Sequence, residues 1–396
     1  MSADEAPPWM GTSAYVHVPF CARACPYCDF DFVVGRRPDV DGYVDALSRQ
    51  ADAAWGATRP QVRTVYYGGG TPSSLGPQGL ARLVEWTRAR LDVSAVQEWT
   101  VELNPEHADA GLLALLVDAG IDRVSLGLQS ARPSALRMLG RAHTADEGLA
   151  AMRRAIDAGL RVSADLIVGW PGQSRQALVD DLRAIVDTGA GHVSIYALTI
   201  EEGTPWARQA AAGKRPPVDD DRQAEHLVHV HDTLTAEGLA HYETASYARP
   251  GQIARHNYGY WSWRDVVAVG PSAASVTHGP DGGLVRRTAQ RGFAAWRQAP
   301  GTWTEDRLSP VAAAAEGLWL GLRRFAGVAV PDLLARFAGV DEGWVRARVE
   351  RQVRRGNLVW EGSTVRLSAD RWLWHDEVGA DLLVGPEDDA AGPGPK

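Results

Sequence analysis

Cysteine is scarce in this 396-residue chain: there are three, Cys21, Cys25 and Cys28, and none elsewhere. An odd number cannot pair off internally, so a disulfide framework is excluded and a reducing compartment would keep the thiols free. Basic runs are also missing, and the net charge is -8, which argues against an electrostatic grip on nucleic acid. No stretch approaches the roughly 20 apolar residues of a membrane span, so no stable membrane insertion is expected. Met1 to Gly11 carries neither a basic nor an apolar leader region, and the cytoplasm is the expected compartment. What the chain does have is 45% hydrophobic residues, ample for a large core, and a length that suggests two or three domains.

Strand and helix signals alternate through the first part of the chain. Residues 14–18 read as a β-rich strand, and Asp39 to Ala54 as a helix capped by Asp39 or Asp41. Val62 to Tyr67 reads as a strand ended by Gly68-Gly69-Gly70-Thr71-Pro72, 77–91 as a helix, and Trp99 to Leu103 as a strand broken by Asn104-Pro105. The pattern continues with a helix from Ala108 to Ala119, a strand from Arg123 to Leu128 and a helix from Ala145 to Ala158. Val162 to Val168 (strand), Ser174 to Thr188 (helix), His192 to Leu198 (strand) and 220–238 (helix) complete it. Between 14 and 240 this predicts an α/β unit, a parallel sheet wrapped by helices, with sites at the carboxyl ends of its strands. Every polar signature follows a strand.

Residues 241–305 are aromatic-rich and weakly periodic. The stretch 306–384 predicts helices at 311–325, 331–338 and 342–355 and a hairpin around Glu361 and Gly362, resembling a winged-helix unit. Its helix 342–355 carries Arg346, Arg348, Arg351, Arg354 and Arg355, diluted by Glu342 and Glu350, which reads as a solvated face. Residues 1–13 form an N-terminal extension, and 385–396 is an acidic, Pro/Gly-rich tail expected to be disordered.

The cysteine spacing is Cys-x3-Cys-x2-Cys. Structural zinc wants four ligands, usually in paired CxxC units, and no second pair exists here. A [4Fe–4S] cubane takes four thiolates; three would leave one iron open to a small molecule. The alternatives are three inert buried thiols, or a zinc site assisted by His17.

The segment Tyr15-Val-His-Val-Pro-Phe-Cys-x3-Cys-x2-Cys resembles the radical S-adenosylmethionine superfamily, in particular its HemN/HemW branch, and the likeness runs from about Ala14 to at least Ser275. It implies a partial (β/α)6 TIM-like barrel with a [4Fe–4S] cluster on Cys21, Cys25 and Cys28 and S-adenosylmethionine on the open iron. The cofactor would supply the hard chemistry and the protein its placement. The same resemblance implies that Tyr15, Gly69, Gly70, Thr71, Glu102, Gln129, Arg141, Asp165 and Ala197 contact S-adenosylmethionine. On residue chemistry alone, the glycine run is a turn that lets backbone approach a ligand, and Asp165, inside an apolar strand, needs a partner.

Within the branch, the dehydrogenases resemble CxxxCxxCxC, whereas here Cys28 is followed by Asp29-Phe30, which is similar to the HemW pattern. A second HemW-like signature is His256-Asn257-x-x-Tyr260-Trp261. The resemblance implies heme binding there: His256 as an imidazole ligand, Tyr260 and Trp261 stacking on the macrocycle, Arg255 or Arg264 pairing with propionates. The alternative is that His256 and Asn257 pin the loop against the barrel. Where HemW-like sequences usually carry a histidine after Gly-Pro-Gly-Ala, this chain has Ala274 in Gly270-Pro271-Ser272-Ala273-Ala274-Ser275, with His278 out of register.

The expected function is a heme chaperone that binds heme or a porphyrin and passes it to an acceptor protein, with an electron donor for the cluster. The rival expectations are an oxygen-independent coproporphyrinogen III dehydrogenase or a radical methyltransferase, mildly favoured by Ala274, and a cluster-bearing nucleic-acid regulator, disfavoured by the charge.

Overall fold

The computed structural model describes residues 10–35 and 37–384. The expected tail 385–396, and most of the extension 1–13, lie outside them.

Six parallel strands stand side by side in chain order: β1 (Thr12–Val18), β2 (Thr64–Gly69), β3 (Glu98–Leu103), β4 (Arg123–Gln129), β5 (Arg161–Val168) and β6 (His192–Ala197). Between them run α1 (Val40–Trp55), α2 (Gly76–Arg90), α3 (Ala110–Asp118), α4 (Pro133–Met138), α5 (Ala145–Asp157) and α6 (Arg175–Val186). The starts are set by caps: Asp39 accepts from the Gly42 N–H, and Thr144 with Glu147 forms a capping box. The stops after α3 and α5 fall at Gly120 (φ 70°) and Gly159 (φ 86°), left-handed positions that glycine adopts without strain.

Strands buried on both faces usually read as continuous apolar runs; these alternate. Val16, Val65, Val101, Val124, Val162 and Val193 point outward into the helix-covered core. The intervening positions are polar: Ser13 and Tyr15, Thr64 and Tyr66, Glu98 and Glu102, Arg123 and Ser125, Ser163 and Asp165, His192 and Ser194. They line the inside of the curved sheet. Low in this lumen, Arg123 Nε donates to Glu98 Oε2 at 2.9 Å, and both side chains are at most 1% exposed. The same guanidinium donates to Ser163 Oγ and to the carbonyls of Gln252 and Ile253.

The chain continues through α7 (Pro205–Ala211), α8 (Asp220–Ala236), β7 (Ala240–Glu243), β8 (Ser246–Ala248) and α9 (Arg255–Trp261). Much of the segment expected to be weakly periodic forms strands. Strand β9 (Asp265–Val269) pairs in parallel with the outer edge of β1, and β10 (Ala274–His278), β11 (Leu284–Ala289) and β12 (Trp303–Leu308) extend it antiparallel to twelve strands. Helix α10 (Phe293–Gln298) packs its Trp296 under α1.

The remainder has its own core. It runs α11 (Pro310–Gly321), β13 (Val328–Ala329), α12 (Val330–Arg336), α13 (Glu342–Arg354), β14 (Leu358–Glu361), β15 (Thr364–Leu367) and α14 (His375–Leu383). Up to β15 this is the winged-helix order; α14 is an addition that the sequence pattern does not announce. Most arginines in and just after α13 are engaged. Arg346 pairs with Glu342, Arg351 and Arg355 share Asp381, and Arg348 lies 4.1 Å over the Trp344 ring. Among the described residues no helix is long and apolar enough to cross a membrane.

Candidate cofactor site

The loop after β1 carries Cys21, Cys25 and Cys28, half-buried at the carboxyl end of the sheet. Its base is tied down where the Val33 N–H donates to Pro19 O at 2.7 Å, and Asp31 O meets His17 Nε2 at 2.8 Å. Because His17 Nδ1 also contacts the Tyr15 hydroxyl at 3.2 Å, both of its nitrogens are occupied. Among the described residues no three His, Cys, Asp or Glu side chains converge on a single-ion position. A zinc site assisted by His17 would need an imidazole nitrogen released from one of these contacts. A cubane, by contrast, gives each thiolate its own iron and needs them spread apart.

The cysteines open onto a cavity of about 510 Å³. Gly69, Gly70 and Thr71 line it, as do Glu102, Gln129, Arg141, Asp165 and Ala197, so the ends of five further strands or the loops beyond them converge on the cysteine loop. Thr71 Oγ1 lies 3.5 Å from Cys21 Sγ, and Arg141 Nη1 is 3.7 Å from Cys25 Sγ. Gly70 is obligatory: a Cβ there would come within 2.9 Å of the Phe20 and Val18 carbonyl oxygens. Gln129 is at φ 65°, rare for a side-chain-bearing residue, where β4 slips register against β5. Bulges re-aim side chains in this way next to functional sites.

Two half-buried carboxyls, Glu102 and Asp165, line the cavity. Burial pushes Glu102 up to about 7, with Asp165 adding to the rise and hydrogen bonds from Tyr66 and Gly69 opposing it. Asp165 is pushed up to about 6 by burial, against hydrogen bonds from Ser125 and Ser194. Glu106 goes the other way: burial would raise it, but His143 and Arg141 beside it hold it at about 2. Burial also raises the thiols of Cys21 and Cys28, the latter to about 11. Iron reverses that cost, because bound metal deprotonates a coordinating thiol. Three cysteines, an obligatory glycine loop and half-buried carboxyls suited to a cationic ligand together fit a cluster with an amine-bearing cofactor.

Several residues here escape a reading of the sequence alone. Asn104 Oδ1 accepts from Arg141 Nη2 at 2.7 Å, and Tyr66 Oη donates to Glu102 Oε1 at 2.7 Å. The alternation of polar residues within the strands is the signal that could find them. Conversely, five expected site residues do not line the cavity. Tyr15 lies one layer below, stacked on Tyr66 with centroids 6.1 Å apart. His256 is 1% exposed; its Nδ1 meets Thr64 Oγ1 at 2.9 Å and its Nε2 the Tyr260 hydroxyl at 2.8 Å. Burial drops its pKa to about 3, so it is held neutral with both ring nitrogens engaged. Trp261 is covered by Arg323, 4.2 Å over its ring, and Asn257 is half-buried beside them on α9. Ala274 is exposed at the start of β10, away from the cavity, and His278 pairs with Asp265.

A parallel, barrel-like sheet with three cysteines and a glycine loop at its carboxyl end is the architecture of radical S-adenosylmethionine proteins, and residues 15–185 match the radical SAM superfamily. The heme chaperone HemW of Escherichia coli K12 is 38% identical over 286 residues, 70% of this chain and 74% of the relative. HemW of Mycobacterium tuberculosis H37Rv is 41% identical over 266 residues (65% and 68%), and that of Bacillus subtilis 168 is 29% identical over 376 residues (92% and 97%). The solved structure of E. coli coproporphyrinogen III oxidase (HemN) shares the fold, with a TM-score of 0.80 at 20% identity over 95% of this chain and 90% of that one. The chain belongs to the HemW family of the radical SAM superfamily.

Proposed function

We propose that the protein is a heme chaperone that holds a [4Fe–4S] cluster on Cys21, Cys25 and Cys28 and S-adenosylmethionine in the adjoining cavity, working in a reducing compartment such as the cytoplasm. The observation that carries the cofactor assignment is the convergence of the cysteines, Gly69–Thr71, Glu102, Gln129, Arg141, Asp165 and Ala197 on one cavity. The cluster supplies an open iron site and one-electron chemistry when bound. The chain's own residues do the holding: Gly69 and Gly70 let backbone approach the ligand, the Glu102 and Asp165 carboxylates face its positive charge, and Arg141 lies beside Cys25.

Heme handling is supported by the relatives named heme chaperones and by Phe30, which stands where a dehydrogenase-like chain would have its next cysteine. Phe30 is 62% exposed at the cavity rim. Axial ligation by His256, 1% exposed, would require one ring nitrogen to be released from Thr64 or Tyr260 and the helix to open, so heme is better placed outside α9. Ala274 lends no support to an enzyme, because its exposed position does not touch the cavity. The paired arginines of α13 likewise weaken a nucleic-acid reading, and the unit 306–384 fits a lid or docking module better.

Two outcomes are expected after anaerobic reconstitution. Wild type takes up about four iron atoms per chain, whereas Cys25→Ala loses the [4Fe–4S] absorption; a full cluster spectrum in that variant would overturn the ligand assignment. With dithionite and S-adenosylmethionine present, heme binds one-to-one and coproporphyrinogen III is not decarboxylated. Turnover to protoporphyrinogen would replace the chaperone with a dehydrogenase.

A further inference from the structure

The helix bearing His256 and Tyr260 lies beneath the cavity, and a short chain of contacts leads from it to Glu102. Tyr66 is the connecting element. Its hydroxyl donates to Glu102 Oε1 at 2.7 Å, and its ring lies between Tyr15 on one side and His256 on the other, the latter with centroids 4.9 Å apart. His256 cannot drift. Thr64 gives its proton to Ser13 Oγ at 2.9 Å, so His256 donates to Thr64 from Nδ1 and accepts the Tyr260 O–H at Nε2. The His256 main-chain N–H donates to Glu98 Oε1 at 2.8 Å, anchoring the start of α9 to the buried Glu98–Arg123 pair. The second oxygen of Glu102 is fixed by the Gly69 N–H at 3.2 Å, from the glycine loop itself.

The geometry points to Tyr66, His256 and Tyr260 as positioning residues that aim the Glu102 carboxylate at the cofactor's positive end, making the HNxxYW helix part of the S-adenosylmethionine site. This rests on the reading of Glu102 as a cofactor contact. Two physical points favour it over simple packing. A half-buried carboxylate lining a cavity acts on a ligand in the orientation its hydrogen bonds impose, here those from Tyr66 and Gly69. And an aromatic core position could have been filled by Phe without a hydroxyl to satisfy, whereas Tyr66 spends its hydroxyl on Glu102.

The test is a set of double-mutant cycles read as S-adenosylmethionine affinity of the anaerobically reconstituted full chain, by equilibrium dialysis, with cluster content and melting temperature recorded for every variant. Tyr66→Phe is expected to weaken affinity roughly tenfold, the worth of one hydrogen bond to a charged acceptor, and His256→Ala, which frees the Tyr66 ring, to weaken it less, both at unchanged cluster content. In a Glu102→Gln background, itself weakened, neither should weaken it further. His256→Ala also lowers the melting temperature, and that loss persists in both backgrounds. If it prevents folding, Tyr66→Phe and Tyr260→Phe carry the same cycle. Equal weakening in both backgrounds, or unchanged affinity in Tyr66→Phe and His256→Ala while Glu102→Gln weakens it, overturns the positioning role and leaves Glu102 as a contact. Full affinity in Glu102→Gln overturns both.

Discussion

Replacing Arg123 with methionine is expected to destabilise the fold by about 3–5 kcal/mol, the usual cost of removing one partner from a buried ion pair. Methionine keeps much of the volume, so the loss comes from charge and hydrogen bonding. Glu98, with 0% side-chain exposure, would keep Arg161 at 3.3 Å but lose its closest guanidinium. The carbonyls of Gln252 and Ile253 would lose their donor, which loosens the chain just ahead of α9. A matched control is Arg82→Ala: its partner Asp41 has a side chain 75% exposed, and such surface pairs contribute at most about 1 kcal/mol. Urea denaturation of the two variants checks this; equal, small losses would mean the lumen tolerates an unpaired Glu98.

The second large effect is a pH-dependent stability difference at Glu102. The folded-state value of about 7 lies above the model-peptide value of 4.5. A carboxyl raised on folding stabilises the fold below its unfolded value, and that contribution is lost as pH rises from 4.5 through 7. Glutamine mimics the protonated side chain. The stability of Glu102→Gln relative to wild type should therefore be nearly flat below pH 4.5 and climb towards pH 8. Its ceiling is on the order of 3 kcal/mol, from 1.36 kcal/mol per pH unit. Taking the difference between variants removes the opposing contribution of the buried histidines, such as His241, which is lowered by burial to about 3 and destabilises the fold as pH falls through 6.5. Thermal unfolding of the cofactor-free proteins at pH 4 to 8 measures it, and a pH-independent difference would mean that Glu102 is not held in a desolvated site. A residue whose replacement stabilises the protein at working pH is one kept for its ligand.

The alternation of strand and helix was legible because each element carries its own punctuation. Asp39, Thr144 and Ser174 cap helices, Gly120 and Gly159 end them, and the outward Val and Leu positions keep period. The strand ends are where expected to within about two residues, and most of the residues expected to contact the cofactor share one cavity because they follow such ends. The antiparallel extension was not legible. β10 and β12 lie on an open face where burial imposes no pattern; Ala274-Ser-Val-Thr-His and Trp303-Thr-Glu-Asp-Arg-Leu give a periodicity search nothing to hold. Nor were the contacts of His256 legible. They depend on Thr64, 192 residues away in sequence, and on a sheet curved enough to bring α9 beneath Tyr66.

The pairing of β1 with β9 also sets a timetable for synthesis. One edge of β1 is covered early by β2, but the other waits for Asp265–Val269. At about 5–20 residues per second, the roughly 200 residues between those events take on the order of 10–40 s. Throughout that interval the nascent chain exposes an unpaired, mostly apolar strand edge, the kind of surface that recruits other chains. The ribosome-bound intermediate is thus the state most in need of a chaperone of its own, and slowing elongation between Gly69 and Asp265 should raise the aggregated fraction without changing the stability of protein that completes its sheet.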